Sequence, residues 1–452
     1  MTYKSINPYT GEQIAIYQKH SETEIEEILH QSTIAFNQWK NVSIAERSEM
    51  MLKAVDLLKR NESKYAKTIT LEMGKPISES TAEIQKCARV CKYYAENAEK
   101  FLQSKIIETD AYKSYVRYDP QGTVFAIMPW NFPFWQVLRF AAPTLMAGNT
   151  ALLKHASNVF GSATHIAELF EEAGFPKGAF QNLFIGHEDT ELVVKHAAVK
   201  AITLTGSERA GSSVATLAGK YLKKSLLELG GSNAFIVAED ADIDKAIEIG
   251  LTARMLNNGQ SCIAAKRFIL VGDAYERFVP KFREAVAKLK IGNPLEAGTQ
   301  ISVLAREDLA VDLENQVKKS VEMGAEILIG GNRKGAHYEP TILINVKSGM
   351  PAFDEETFGP MAAIIKAKTI DEALELAAQS KFGLGLTLFS EDIEKAQSYA
   401  NKVEDGAYFI NELVKSDPRL PFGGTKISGY GRELSQEGLL EFVNVKTVFV
   451  NK

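Results

Sequence analysis

Between Gly122 and about Val237 the chain alternates short apolar runs with helix-length amphipathic stretches, and that pattern leaves few folds open. Strands are expected at Thr123–Met128, Thr150–Lys154, Ala201–Thr205 and Ser225–Leu229, with helices between them at Phe134–Ala147, Phe160–Ala173 and Arg209–Ala218. A run such as Thr123–Met128 is apolar on both of its faces, so both must be covered. Short apolar strands interleaved with helices of this size predict a parallel sheet packed on both sides by helices, an α/β fold. Nucleotides bind such sheets in the crevice beyond the carboxyl ends of the strands.

One core cannot serve the whole chain. At 452 residues it exceeds the size at which a single core stops growing, so at least two lobes are expected. A second α/β stretch runs from about Ala241 to Ile410. Before the first sheet, after a short extended start at Ile6–Glu12, the chain reads as helical. One helix is expected from Ala45 to Met73, stopped by Gly74-Lys75-Pro76, and another from about Glu79 to Leu102. The stretch Ala111-Tyr-Lys-Ser-Tyr-Val-Arg-Tyr is polar and β-prone, an arm or edge strand. The tail, Glu441-Phe-Val-Asn-Val-Lys-Thr-Val-Phe-Val, reads as a strand in need of a partner, and a neighbouring subunit's sheet is one source of it.

Several function classes fall away on composition. A net charge of −5 and the lack of any basic run give no footprint for nucleic acid. The start lacks the apolar core of a secretory signal, and no stretch is long and apolar enough to span a bilayer, so the expected place is the cytoplasm. Three cysteines cannot build a disulfide framework. Cys87 and Cys91, four apart on a helical stretch, read as small core residues, and no metal site is expected.

Cys262 is different. It lies in Asn257-Asn-Gly-Gln-Ser-Cys-Ile-Ala-Ala-Lys-Arg, a polar loop between a helix ending near Leu256 and a strand starting near Arg267. Such a loop buries a structural cysteine poorly and exposes a reactive one well. With it come Pro129-Trp-Asn-Phe-Pro and Leu227-Glu-Leu-Gly-Gly at strand ends, then Glu355-Glu-Thr-Phe-Gly-Pro and Pro421-Phe-Gly-Gly-Thr-Lys-Ile-Ser-Gly-Tyr-Gly-Arg. On these motifs the chain resembles the aldehyde dehydrogenase superfamily along its whole length.

The resemblance implies a Rossmann-type cofactor-binding lobe at 1–104 and 122–229 and an α/β catalytic lobe at 230–420. It also implies a small β oligomerisation element at 105–121 and 434–452, in homodimers or homotetramers. It implies that the Cys262 thiolate attacks an aldehyde carbonyl, that Asn131 stabilises the oxyanion with the Cys262 N–H, and that Glu228 is the general base for thioester hydrolysis. CoA-acylating relatives generally lack that base, so a free acid is the expected product. The cofactor is expected to be NAD(P)+, held by Trp130, Lys154, Gly206, Ser207, Glu356 and Phe358. Gly206 would permit a tight turn, and the helix after it would present its N-terminus and the Ser207 hydroxyl to a phosphate. At Ser157, where strict NAD+ users often carry Glu, a short neutral side chain leaves room for a 2′-phosphate. NADP+ is therefore expected to be accepted, with NAD+ left open.

Substrate choice turns on Arg139 and Ser416, which match positions where succinate-semialdehyde dehydrogenases hold the substrate carboxylate; an arginine fork suits two oxygens. The second arginine of larger relatives would fall at Leu256, and Phe140 stands where a lysine is common. Ala264, two residues past the nucleophile, removes a local disulfide switch. The shorter bacterial succinate-semialdehyde dehydrogenases are the subgroup most resembled. Two other readings stand beside this one: a broad dehydrogenase of aliphatic or aromatic aldehydes, and a non-catalytic binding or structural protein on the same fold.

Overall fold

The computed structural model describes residues 2–452. Its first large sheet has six strands in the spatial order 429–430, 224–228, 199–205, 123–128, 150–155, 180–182. All neighbours run parallel except Gly429–Tyr430, which lies antiparallel to Lys224–Glu228. The sequence order reverses between Thr123–Met128 and Val199–Thr205. That switch point opens a crevice at the carboxyl ends, into which the chain sends Pro129-Trp130-Asn131 from one strand and Gly206-Ser207 from the other.

The second sheet has seven strands, with Ala265–Val271 and Asn233–Val237 at its middle and a single antiparallel edge, Glu326–Ile329. Only Leu229–Ser232 joins Glu228, the end of a first-sheet strand, to Asn233, the start of a second-sheet strand. The carboxyl ends of one sheet thus meet the amino ends of the other, and residues flanking that junction can act on one molecule.

The remaining elements adjust the sequence reading in three places. The helix expected over Ala45–Met73 is two, Ile44–Arg60 and Glu62–Met73, because Asn61 leaves helical geometry (φ −98, ψ 14) and ends one as it begins the other. The extended start is a hairpin, Thr2–Ile6 paired with Gln13–Gln18. The terminal strand Val443–Val450 finds its partner within its own chain, antiparallel to Lys113–Pro120 from Val443 opposite Pro120 to Val450 opposite Lys113. A neighbouring subunit is not needed to complete that pairing, and the strand's other edge stays open. Cys87 and Cys91 are fully buried on the core face of the Ile77–Phe101 helix, as expected.

The helix Trp135–Met146 is buried on every side, so it needs help at its ends. Glu83, from the Ile77–Phe101 helix, accepts the N–H groups of Phe134 (2.8 Å) and Trp135 (2.9 Å) and pairs with the buried Lys75. A carboxylate at a helix N-terminus satisfies orphan donors and complements the dipole. Removing one partner of such a buried pair typically costs about 3–5 kcal/mol. This clamp fixes the helix that carries Gln136 and Arg139.

Candidate active site

The loop before Cys262 is held in unusual backbone. Asn257, Asn258 and Gly259 follow one another in left-handed conformation (φ 60, 53 and 75). Gly259 is obligatory: a Cβ there would lie 2.3 Å from the Gly359 carbonyl oxygen. Three consecutive such residues persist only where hydrogen bonds over-determine them. Asn257 Nδ2 donates to the Asn131 carbonyl (2.7 Å), and Asn258 Nδ2 to the Val303 carbonyl (2.8 Å). Gln260 Oε1 accepts the Ala305 N–H (3.0 Å). Behind the loop, the fully buried Lys266 donates to the carbonyls of Gly231, Ser261 (2.9 Å) and Cys262 (2.8 Å) and pairs with Glu356 Oε1 (2.9 Å). One ammonium therefore ties the cysteine loop, the inter-sheet connection and Glu356 together.

Cys262, half-buried, lines two cavities at once. One, of about 220 Å³, is walled by Phe132, Trp135, Arg139, Leu256, Ser416 and Phe422. The other, of about 340 Å³, is walled by Trp130, Asn131, Gly206, Ser207, Glu356 and Phe358. The thiol stands where they join.

Asn131 is oriented by its neighbours. Its Oδ1 accepts from Gln136 Nε2 (3.1 Å), which turns Nδ2 the other way, and Nδ2 donates to the Gln260 carbonyl (3.0 Å). An amide carries two N–H groups, so one remains for a ligand. The Cys262 N–H makes no hydrogen bond among the described residues. Two spare donors beside a thiol are the makings of an oxyanion site.

The electrostatics set a resting state. Burial pushes the Cys262 thiol up to about 11; Lys266 and Arg139 oppose the shift, and Glu356 and Glu228 reinforce it. Glu228 lines neither cavity: it is 1% exposed, and both carboxylate oxygens lack a hydrogen-bond partner within the chain. Burial, then the nearby Glu433, push its carboxyl up to about 8, against the pull of Arg139 and Arg432. Both groups thus rest protonated near neutrality.

On the second cavity's side, Phe358 meets Trp130 edge to face at 5.8 Å, and Ser207 caps the thirteen-residue helix Glu208–Lys220 by accepting the Ala210 N–H (3.3 Å). Gly206 makes the bend from the strand ending at Thr205 to the helix starting at Glu208, without a left-handed backbone. Its φ is not positive, and a Cβ would meet nothing closer than 3.4 Å, so the chain itself does not require glycine there. At Gly230 a Cβ would fall 2.5 Å from Glu356 Oε2, so bare backbone is needed beside that carboxylate. Lys154 and Ser157 lie apart from this cavity, on the end of the neighbouring strand and the turn after it. Burial lowers the Lys154 ammonium from its ordinary value, and Ser157 is exposed. A ligand reaching both places spans the carboxyl ends of two adjacent strands, as a dinucleotide does, and the bare helix start and unpaired lysine fit its phosphates.

Arg139 does line the first cavity rather than an outer helix face. Its guanidinium is not free, however: Nη2 pairs with the buried Glu433 at 2.5 Å, and the group stacks over Phe422 at 4.8 Å. That pairing takes only one arm of the fork, since Nε has no hydrogen-bond partner within the chain. Truncating Arg139 would strand Glu433 in the core, so such a variant reports on stability as much as on substrate. Ser416 is in the same cavity, accepting from Lys86 Nζ at 2.7 Å. Lys86, Lys266, Gln136 and Glu433 were not singled out from sequence. For Lys266 a signal existed: a lysine and an arginine near the start of a strand that then turns apolar must find acceptors inside.

The aldehyde dehydrogenase family description matches residues 1–448. The chain belongs to the aldehyde dehydrogenase family. Within it, a probable NADP+-type succinate-semialdehyde dehydrogenase of Synechocystis is 46% identical over 453 residues, covering all of both chains. The succinate-semialdehyde dehydrogenase [NADP(+)] 1 of Mycobacterium tuberculosis is 42% identical, again over the full length of both. A crystal structure of succinic semialdehyde dehydrogenase from Streptococcus pyogenes with NADP+ superposes with a TM-score of 0.97 at 37% identity, covering all of each chain. The cavities described above are thus those of an aldehyde dehydrogenase.

Proposed function

We propose that this aldehyde dehydrogenase oxidises succinate semialdehyde to succinate with NADP+, using Cys262 as nucleophile. The observation that carries the reading is the thiol at the junction of two cavities, one lined by cations and the other by an aromatic pair and a helix start. In the first, the aldehyde reaches Cys262 with its carboxylate tail toward Lys86, Arg139 and Ser416. The sulfur, once deprotonated, bonds to the carbonyl carbon, and the oxygen takes the negative charge under the Asn131 amide and the Cys262 N–H. Lys154, Ser157, Gly206, Ser207, Glu356, Phe358 and Trp130 would hold NADP+, which would supply the hydride acceptor. The carbon left on sulfur is a thioester. Glu228 takes a proton from water as its oxygen attacks that carbon, and the thiolate leaves.

The open edge of Val443–Val450 supports assembly with a second copy, as homodimers or homotetramers. No helix among the described residues is long and apolar enough to cross a membrane, and we read the protein as cytoplasmic.

The test is a steady-state panel of two aldehydes against two cofactors. The expected kcat/KM for succinate semialdehyde exceeds that for butyraldehyde by on the order of tenfold or more, the worth of one charge-assisted contact. Equal values would support the broad-specificity reading, and no NADPH from any aldehyde would support the non-catalytic one. Ser157→Glu addresses the cofactor. A carboxylate a few ångströms from a 2′-phosphate repels it by about 1–4 kcal/mol, so KM for NADP+ is expected to rise tenfold or more. KM for NAD+ is expected to hold or fall, and an unchanged NADP+ preference would remove Ser157 from the site.

A further inference from the structure

Two cations on the wall of the Cys262–Ser416 cavity have no carboxylate partner among the described residues. Arg89 is exposed; Lys86 is half-buried beside it on the same helix. The other charges there are committed. Arg139 is paired with Glu433, Lys415 with Glu412 (2.7 Å) and Glu83 with Lys75, while Glu79 accepts the Asn257 N–H (2.7 Å). Lys86 instead donates one proton to Ser416 Oγ and rests over the Trp135 ring, 4.0 Å from its centroid. An ammonium has three donors, and an aromatic face stabilises the cation without neutralising it. Donors therefore remain, and an anion is the best acceptor for them.

We propose that Lys86 is a further anchor for the distal carboxylate of the substrate, gripping it together with Ser416 and beside Arg139. This assignment rests on the reading of the cavity as the tunnel for a carboxylated aldehyde. Arg139 shares one arm of its guanidinium with Glu433, whereas Lys86 has no carboxylate partner among the described residues. Ser416 both aims the ammonium and donates its own hydroxyl proton to the incoming oxygen.

The same surroundings make the anchor sensitive to pH. Burial pushes the Lys86 ammonium down to about 7, helped by Arg139 and Arg89 and opposed by Cys87 and Glu83. Glu83, Cys87 and Arg89 act on it from its own helix and Arg139 from the Trp135–Met146 helix, while Glu79, Lys415 and Cys262 line the same cavity. As pH rises through about 7 the free enzyme loses this cation, so KM for the carboxylated aldehyde rises, while an uncharged aldehyde meets no such change.

Lys86→Met and Lys86→Arg, assayed with succinate semialdehyde and butyraldehyde across neutral pH, test the assignment. In Lys86→Met the ratio of kcat/KM for the two aldehydes is expected to fall on the order of tenfold, mostly through KM of the carboxylated one. The rise of that KM above about pH 7 disappears with it, and Lys86→Arg retains most of the ratio. A Lys86→Met ratio within about twofold of wild type overturns the anchor. If that variant does not fold, the wild-type KM decides: a flat profile through pH 7 overturns it. A wild type without preference for succinate semialdehyde overturns the substrate reading as well; a preference that survives Lys86→Met overturns the anchor alone.

Discussion

Cys262→Ala is expected to lower kcat about 10,000-fold or more with every aldehyde, because no other group at the cavity junction can form the covalent bond. Cys87 and Cys91 cannot substitute, being fully buried on another helix. The loop should survive the change. Its left-handed triplet is held by the Asn257, Asn258 and Gln260 side chains and by Lys266 on backbone carbonyls, none of which uses the sulfur. Stability is therefore expected to move by no more than about 1 kcal/mol, and NADP+ affinity by little. Thermal unfolding with and without NADP+, beside the aldehyde assay, separates loss of chemistry from loss of fold. Turnover at even a tenth of the wild-type rate would end the assignment of Cys262 as nucleophile.

Glu228→Gln is expected to separate the two halves of the reaction. Acylation would proceed, giving a burst of NADPH close to one per site, and steady-state kcat would then fall about 100- to 1,000-fold as the thioester persists. Intact mass would show the acyl adduct on the variant. The exchange is gentle for a structural reason: burial and Glu433 keep the Glu228 carboxyl protonated up to about pH 8, and an amide is close to isosteric with that neutral acid. A base raised to about 8 becomes active only as pH climbs through that value, so wild-type kcat is expected to increase from pH 6 toward 9, and the variant to lack that limb. It runs opposite to the loss of substrate affinity expected from Lys86. No burst and an undiminished steady rate in Glu228→Gln would remove this residue from hydrolysis.

The first sheet was readable because Thr123–Met128 and the Ala151–Leu153 part of Thr150–His155 are buried and so carry apolar runs between helices, which few other structures permit. The marginal strands were not. Phe180–Asn182 is three residues long, and Gly429–Tyr430 joins the sheet through a contact that no local pattern records. The break at Asn61 went unread since both helices bury the same apolar spacing and only the backbone of one residue separates them. Within the site, residues set in loops at strand ends could be picked out, because polar residues and glycines stand out against the apolar strands they follow. The partners of Arg139 and Lys86 could not. Glu433 lies in a distant segment near the C-terminus, and Lys86 is 330 residues from Ser416 and sits in a helix where a lysine ordinarily faces water. Contacts made by topology leave no mark on spacing.

The placement of the three sulfurs governs what an oxidant does to this enzyme. Cys262 opens onto two cavities, while the other two thiols are sealed in the helical core, where burial pushes both above their ordinary range. A sulfenic acid formed at Cys262 has no resolving thiol within the chain, so its repair depends on a diffusible thiol arriving before further peroxide carries it to the irreversible sulfinic acid.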